Sequence, residues 1–340
     1  MEQQIDIAVV GATGLVGNAV LEHLSESKIS VGQIYALASD NSSGESVPFG
    51  NRQLTVHNTA EFDFNKVQLS FFCVPTEVSQ TYIDKAVSTG NYCIDFSEYS
   101  RRDKDVPLVV QAVNGAVLED LKGKVVASPD SSILHLAQIL SVFSEAGVIE
   151  RVNATLLRAV SEIGRKGIDE LSAQSIALFN LKPIKREHFD EQIAFNVLPH
   201  ACHASANHIG EKDGFVDQLQ IELQKVMQDD ALLLNASLVQ VPVFYGHSMT
   251  LQLEFSDEVP INTLQDLISQ SSELNLVKKG ASRPNSVTDA VNQKGVYIGG
   301  LRPDPTWKSG INLWVTADNI HQGAAINGVQ LAEILVKDYL

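Results

Sequence analysis

Three glycines near the N-terminus have the spacing of a phosphate-binding turn. Gly11, Gly14 and Gly17 follow the apolar run Ile5–Val10 and open an amphipathic stretch. In such a strand–turn–helix the first glycine permits a tight turn, the second lets the backbone approach a pyrophosphate, and the third allows close helix–sheet packing. The N–H groups and positive dipole of the helix start then receive the phosphates. The predicted dinucleotide-binding residues here are Gly11, Thr13, Gly14, Leu15, Val16 and Gly17. The alternative, a glycine-rich turn without a ligand, leaves the spacing unexplained.

A carboxylate follows the second predicted strand. Ser39 and Asp40 come directly after the apolar run 34–38, and no Lys or Arg occurs between Lys28 and Arg52. A carboxylate there accepts a hydrogen bond from a ribose 2′-hydroxyl and repels a 2′-phosphate, which usually needs an arginine. We therefore expect NAD rather than NADP as the cofactor. The alternative, that Asp40 is an ordinary turn residue, explains the position equally well.

The elements around these residues alternate between strand and helix patterns over the first 130 residues. Apolar runs predict six strands, at 5–10, 34–38, 54–57, 67–74, 92–96 and 125–127, with amphipathic stretches at 18–25 and 78–88. Alternation at this pitch predicts a doubly wound parallel sheet, hence an α/β, Rossmann-type domain.

The pattern changes after residue 130. Helix-like stretches at 132–143 and 167–180 lie among long predicted strands at 151–160, 236–245, 249–255, 296–301 and 313–317. Long strands with separate helices predict a second, α+β domain on a mostly antiparallel sheet. The strands 236–245 and 249–255 are joined by Gly246–Ser248, as in a hairpin. Their apolar runs need cover on both faces, which favours self-association.

Composition excludes several classes of protein. The 340 residues carry 25 Lys and Arg against 41 Asp and Glu, a net charge of −16 that argues against nucleic-acid binding. We also expect no membrane span and no signal peptide, because no apolar run is long enough and the N-terminus is acidic. Three cysteines without metal spacing predict a reducing, cytoplasmic location. The cluster at His200, Cys202, His203 and His208 is interpreted as a polar loop, so no metal is predicted.

Six segments in matching order resemble the aspartate-semialdehyde dehydrogenase family over nearly the whole chain. They are VVGATGLVG at 9–17, DVPLVVQAVN at 105–114, residues 150–171, QIAFNVLPH at 192–200, VPVFYGHS at 241–248 and ADNIHQGAAINGVQLAEIL at 317–335. The resemblance implies a dinucleotide-binding domain at 1–130 plus 323–340, a catalytic and dimerisation domain at 131–322, and a homodimer. The implied reaction belongs to amino-acid biosynthesis. In it a cysteine thiolate attacks an acyl phosphate, phosphate leaves, and NADPH delivers hydride to the thioester.

Several positions depart from the family pattern. Ser131 occupies the position of the nucleophilic cysteine, Arg158 that of a glutamine that holds the acyl group, and Gln240 that of an arginine that binds the substrate carboxylate. Asn41 replaces a cofactor-reading arginine, and Glu162 replaces a glycine. Serine is hardly ionised near neutral pH without a base, whereas cysteine is already a few per cent thiolate, roughly. The combined losses indicate that the original chemistry has stopped.

Other family positions are retained. By resemblance, His247 is the acid/base histidine, Arg101 binds phosphate, Glu222 and Lys225 contact the substrate amine and phosphate, and Asn319 lies near the nicotinamide. Each also has a structural interpretation: a turn cap for His247, and surface charge for Arg101 and the Glu222–Lys225 pair. Together they predict a pocket that favours a small anionic metabolite.

Three functional hypotheses follow. The first is a diverged, Usg-like member of the family that lacks the catalytic cysteine, a pseudoenzyme that binds NAD, or has lost it, and acts as a binding or regulatory protein. The second is an active NAD(P)-dependent semialdehyde dehydrogenase in which Ser131 is the nucleophile and His247 the base. The third is a hydrolase using the same pair with Arg158 at the oxyanion, although Ser131 has no G-x-S-x-G surroundings.

Overall fold

The computed structural model describes residues 4–199, 214–277 and 283–340, which divide into two compact units. The first unit comprises the described residues up to Leu134 together with Gly323–Leu340, and the second comprises those from His135 to Gln322. The division therefore falls inside one helix, Ser131–Phe143.

The described residues of the first unit form a seven-stranded sheet. Its strands are β1 (Ile5–Val10), β2 (Val31–Ala38), β3 (Ser46–Phe49), β4 (Arg52–Asn58), β5 (Leu69–Phe72), β6 (Tyr92–Asp95) and β7 (Val125–Ala127). They lie in the order β3-β4-β2-β1-β5-β6-β7, and every pair is parallel except β3 with β4. The predicted doubly wound parallel sheet is confirmed. Strand β3, a short edge strand that contains Pro48, is not among the strands predicted from the sequence.

Helices complete this unit. They are α1 (Leu15–Glu26), α2 (Thr76–Ser88), α3 (Glu98–Arg101), α4 (Gln111–Asn114) and the start of α5 (Ser131–Phe143). Helix α1 buries Ala19, Val20, Leu21 and Leu24, the apolar face expected from helical spacing. The core against the sheet includes Leu37, Phe64, Phe72 and Ile83.

The described residues of the second unit form another seven-stranded sheet. Its strands are β8 (Ile149–Arg158), β9 (Leu198–Pro199), β10 (Leu233–Gln240), β11 (His247–Phe255), β12 (Leu274–Leu276), β13 (Val296–Pro303) and β14 (Gly310–Ala317). The order is β12-β13-β14-β11-β8-β10-β9, with parallel pairing only at β8–β10 and β12–β13. The predicted, mostly antiparallel sheet is confirmed. Its helices are α6 (Arg165–Phe179), α7 (Gly214–Met227) and α8 (Ile261–Gln270).

The chain returns to the first unit through α9 (Ile326–Tyr339). Asn327, which is buried in this helix, accepts a hydrogen bond from the Gln111 backbone N–H (2.9 Å) and donates to the carbonyl of Val109 (2.9 Å) and the hydroxyl of Ser128 (3.0 Å). The last helix therefore forms hydrogen bonds with segments that lie far earlier in the chain. Asn327 and Ser128, for example, are 199 residues apart.

The predicted hairpin around Gly246–Ser248 is wrong. Strand β10 ends at Gln240, and β10 and β11 each pair with β8 from opposite sides rather than with each other. Residues 241–246 therefore cross the end of β8. Pro242 has no N–H to continue β10, and Gly246 has a φ of +82°, where a Cβ would lie 2.8 Å from that of Ala290.

The expectation that both faces of this sheet need apolar cover is also wrong. Along β10, burial alternates, with Leu234, Ala236 and Leu238 inward and Asn235 and Ser237 outward. On the outward face, the Asn235 amide donates to the side chain of Asn153 (3.2 Å), which in turn donates to Gln252 (3.4 Å). This polar face borders an open groove of about 980 Å³.

Among the helices that the structure describes, none has both the length and the apolar character needed to cross a membrane.

Candidate functional site

The turn after β1 requires glycine at two positions, because neighbouring backbone atoms leave no room for a Cβ. Gly11 has a φ of +84°, and a Cβ on it would lie 2.3 Å from the carbonyl oxygen of Cys73. A Cβ on Gly17 would lie 2.1 Å from the carbonyl oxygen of Gly11. The N–H of Gly14 donates to that same carbonyl (2.9 Å). Gly14 directly precedes α1, and as a glycine it has no side chain to cap the helix. The helix start at Leu15 and Val16 is thus open to a phosphate, and this cradle fits the pyrophosphate of a dinucleotide.

Asn18 braces this turn, a role that the sequence analysis missed. Its amide donates to the carbonyl oxygens of Ala12 (2.7 Å) and Gly14 (2.9 Å). These two bonds hold the loop that contains Thr13 against the first turn of α1. A polar residue at this place in a helix usually faces solvent, so its type alone gave no signal.

Ser39 and Asp40 lie at the same edge of the sheet as the glycine turn. Strands β1 and β2 are parallel neighbours with Val10 paired to Leu37, and the N–H of Gly11 donates to the Leu37 carbonyl (2.8 Å). Both Ser39 and Asp40 are exposed, and the Asp40 carboxylate accepts from the Asn58 amide (3.2 Å). The turn and the carboxylate therefore follow neighbouring strands at the same edge of the sheet.

Ser131 is the first residue of α5, where the dipole of the helix would favour an anion. That end of the helix already has one, because the Asp130 carboxylate accepts from the backbone N–H of Ser132 (2.8 Å). Both Asp130 and Ser131 are buried. A negative charge beside Ser131 opposes ionisation of a nucleophile at that position.

The described cysteines do not supply a thiolate. Burial raises the pKa of the Cys73 thiol well above its ordinary value, and the Asp95 carboxylate adds to the shift. Burial also raises the pKa of Cys93, again with Asp95 as a second cause. Cys202, like His200, His203 and His208, lies outside the described residues. Within the described part of the chain, no group of three or more His, Cys, Asp or Glu side chains could hold a metal ion.

The buried Asp95 carboxylate fixes the short helix that carries Arg101. Asp95, at the end of β6, accepts from the backbone N–H groups of Ser97 (3.0 Å) and Ser100 (3.3 Å) and from the Ser97 hydroxyl (2.8 Å). These bonds fix the short helix α3, which ends at Arg101. The Arg101 side chain is half-buried in the first unit.

In the second unit, the antiparallel register of β8 and β11 juxtaposes Arg158 and His247. Ser248 pairs with Leu157, so the end of β8 meets the start of β11. Each of the two side chains is only 1% exposed. The His247 Nδ1 accepts from the backbone N–H of Ala159 (3.3 Å). Because Nδ1 accepts, the neutral ring carries its proton on Nε2.

Glu162 joins these two side chains, which the sequence analysis did not foresee. Its Oε2 accepts from His247 Nε2 (2.8 Å), and its Oε1 forms an ion pair with the Arg158 guanidinium. On its other side, the guanidinium carbon of Arg158 lies 5.2 Å from the centre of the Phe215 ring of α7. The only sequence signal was that a charged residue replaces a family glycine.

The remaining predicted residues of this unit are Gln240, Asn319, Glu222 and Lys225, and the first three form hydrogen bonds within the unit. Gln240 is buried and its amide donates to the Arg158 carbonyl (2.8 Å). Asn319 is buried, accepts from the Gly246 N–H (2.9 Å) and donates to the Ser161 hydroxyl (3.1 Å). On α7, Glu222 is buried and accepts from Gln218 (3.3 Å), while Lys225 is half-buried.

The fold and the glycine turn define a two-domain protein with a Rossmann-type dinucleotide-binding unit and a second unit on a mostly antiparallel sheet. The sequence matches the semialdehyde dehydrogenase NAD-binding domain over residues 6–121 and the semialdehyde dehydrogenase dimerisation domain over residues 140–322. It is 36% identical to aspartate-semialdehyde dehydrogenase 2 of Vibrio cholerae, over all of both chains. It is also 36% identical to the aspartate-semialdehyde dehydrogenase of Legionella pneumophila, over all of this chain and 98% of the other.

A solved structure gives the same result. The crystal structure of aspartate-semialdehyde dehydrogenase II of Vibrio cholerae, complexed with ASA, superposes with a TM-score of 0.93 at 36% identity, covering 99% of this chain and all of the other. The chain belongs to the aspartate-semialdehyde dehydrogenase family.

Replacing Asn18 tests the brace of the glycine turn. We expect Asn18→Ala to weaken dinucleotide binding about tenfold, because two hydrogen bonds that preorganise the phosphate cradle are lost. Isothermal titration calorimetry measures the affinity. The control is Ser25→Ala, a half-buried residue of the same helix whose hydroxyl donates to the Glu22 carbonyl (2.7 Å). Equal affinity in Asn18→Ala and Ser25→Ala would show that the brace is irrelevant to binding.

Proposed function

We propose that this protein is a member of the aspartate-semialdehyde dehydrogenase family that binds NAD but no longer catalyses the family reaction, and that it acts as a binding or regulatory protein. The observation that carries the proposal is the hydroxyl of Ser131 at the position that the resemblance assigns to the nucleophilic thiol. A serine there needs a base and a favourable field. The neighbouring Asp130 carboxylate supplies the opposite field.

The state of His247 supports the same proposal. Its Nδ1 lone pair accepts from Ala159, and its Nε2 proton is directed to Glu162. A general base needs a free lone pair on one ring nitrogen, and both nitrogens are engaged within the second unit. Arg158 is likewise neutralised by Glu162, which makes it a poor oxyanion partner for a hydrolase.

The second candidate is an active semialdehyde dehydrogenase that uses Ser131 and His247. The full-length identity to relatives named as aspartate-semialdehyde dehydrogenases favours it. In that case the oxidation of an aldehyde would need a covalent adduct at Ser131 and a hydride acceptor, which NAD bound at the glycine turn would supply.

Phosphate-dependent oxidation of aspartate semialdehyde separates the two candidates. We expect no turnover above background with NAD or NADP, and none in Ser131→Cys, because Asp130 still opposes a thiolate and His247 still offers no lone pair. Production of NADH or NADPH is followed by absorbance, with a curated relative as positive control. Turnover that disappears in Ser131→Ala would establish the serine enzyme, and substantial activity of Ser131→Cys would show that the other changes matter little.

We infer that the cofactor is NAD rather than NADP. Asp40 is exposed at the sheet edge beside the glycine turn, and the segment between Lys28 and Arg52 has no cation for a 2′-phosphate. Calorimetric titration should give tighter binding of NAD than of NADP. Asp40→Ala should weaken NAD binding by about tenfold, so that the affinities for NAD and NADP become more alike. Tighter binding of NADP would contradict this, and no heat with either would mean that dinucleotide binding has been lost.

We also propose a homodimer formed through the second unit. Its support is the match to a dimerisation domain and a set of four apolar side chains, each at least 60% exposed, on α6 and the segment after it. This apolar cluster is Phe179, Leu181, Phe195 and Val197. The rings of Phe179 and Phe195 pack edge to face at 5.5 Å. Solvent-exposed apolar groups of this size usually become covered by association.

Sedimentation tests the dimer. We expect twice the mass of one chain at micromolar concentration, and dissociation in the double variant Leu181→Asp, Phe195→Asp, because burying two carboxylates at an interface is costly. Val148→Asp, a change at an exposed apolar residue outside the cluster, is the control and should stay dimeric. A monomeric wild-type protein would contradict the proposal.

A small anionic metabolite is the ligand that we propose besides NAD, and the cytoplasm is the proposed place of action.

A further inference from the structure

Leu181 occupies a position at which the backbone favours glycine. It lies just beyond α6, where the N–H of Lys182 donates to the carbonyl of Ala177 (2.8 Å) and the N–H of Leu181 to that of Leu178 (3.1 Å). Helices that end with these two hydrogen bonds usually have glycine at the position of Leu181, because φ is positive there. Leu181 has a φ of +53° and is 96% exposed. The strained backbone therefore presents an apolar side chain to solvent.

Phe195 shows the same combination of strain and exposure. The carbonyl of Ile193 accepts from the N–H of Asn196 (3.1 Å), so Phe195 is the third residue of a tight turn. Its φ is +58°, a conformation that bulky residues rarely adopt. Phe195 is 66% exposed, and its ring packs edge to face on that of Phe179. Two of the four residues of the apolar cluster are thus strained and exposed at once.

Two buried side chains of α6 hold the turn that carries Phe195. The Gln174 Oε1 accepts from the N–H groups of Ile193 (2.9 Å) and Ala194 (3.1 Å), directly before Phe195. The Gln174 amide donates to the Glu170 carboxylate (2.9 Å), and both side chains are buried. Backbone strain persists only where surrounding contacts fix it, and it occurs mainly at sites that bind or switch. The fixed turn therefore points to a binding role for Phe195.

The segment 180–198 suits a second copy of itself. It has three cations and three carboxylates, although the whole chain has a net charge of −16. These residues are Lys182, Lys185, Arg186, Glu187, Asp190 and Glu191. Two such segments related by a twofold axis have no net charge, so they avoid the repulsion between two acidic chains. The segment also lies within residues 140–322, which match the dimerisation domain.

We propose that Leu181 and Phe195 are the main contacts between two copies of this chain, and that the strained backbone at both residues serves to present them. The inference rests on the proposed homodimer and deepens it by naming the contacts and the reason for their conformation. In a twofold interface each copy contributes the same pair of side chains. Because the backbone around them is already fixed, little further ordering is needed on association.

Exchange for glycine in the full chain tests the proposal. Leu181→Gly and Phe195→Gly each remove an apolar side chain and introduce the residue that adopts the strained conformation freely. Each variant should raise the dimer dissociation constant by about tenfold or more, measured by sedimentation. At a dilution where the protein is monomeric, the melting temperature should equal or exceed that of the wild type, because loss of strain offsets the larger entropy of the unfolded chain.

Gln228→Gly is the matched control. Gln228 lies just beyond α7 with a φ of +54°, and the N–H of Asp229 donates to the carbonyl of Gln224 (3.1 Å). This is the same helix end as at Leu181, with an exposed polar side chain in place of the leucine. Gln228→Gly should therefore leave the dissociation constant unchanged, since it relieves strain without removing an apolar contact.

Leu181→Asn and Phe195→Asn provide a second measurement if the glycine variants do not fold, because asparagine also tolerates positive φ. Dimers as tight as the wild type in both pairs of variants would overturn the inference. A fall in the melting temperature of the monomeric variants by more than about 5 °C would also overturn it, since the side chains would then stabilise the single chain. A monomeric wild-type protein would instead contradict the homodimer itself, so the two failures are distinguishable.

Discussion

A charged guanidinium buried at the end of a central strand constrains the whole second unit. Arg158 keeps its positive charge when buried, and the Glu162 carboxylate forms an ion pair with it. The same carboxylate accepts a hydrogen bond from His247 Nε2, and the carbonyl of Arg158 accepts one from the Gln240 amide. Arg158, His247 and Gln240, at which the resemblance predicts chemistry, are therefore joined in one network.

The first unit supports the same functional proposal as this network. The glycine turn keeps the tight geometry that a pyrophosphate needs, with Gly11 and Gly17 each in a place where no Cβ fits. The start of α5, by contrast, has a hydroxyl and a neighbouring carboxylate at the position that the resemblance assigns to the ionised sulfur of the family reaction. A retained cofactor cradle and an internally paired Arg158 and His247 are the features that support the proposed binding role.

Local signals explain what could be predicted from the sequence. Glycine spacing, apolar alternation and the run of strand and helix patterns predict the first sheet and place Ser39 and Asp40 beside the turn. Pairing of β8 with both β10 and β11 could not be predicted, because it joins residues about 80–100 positions apart, as in the Ala159–His247 separation of 88 residues, and apolar runs do not specify partners. Glu162 escaped for the same reason, since its partners are assembled by that pairing.

The position of α9 has a consequence for synthesis. The first unit is translated up to Leu134, the second unit follows from His135 to Gln322, and only then is Ile326–Tyr339 made. Until Asn327 arrives, the N–H of Gln111 and the carbonyl of Val109 have no partner from that side chain. These hydrogen bonds of the first unit therefore form only after the second unit has been translated, and loss of the last helix would remove them from the part that was made first.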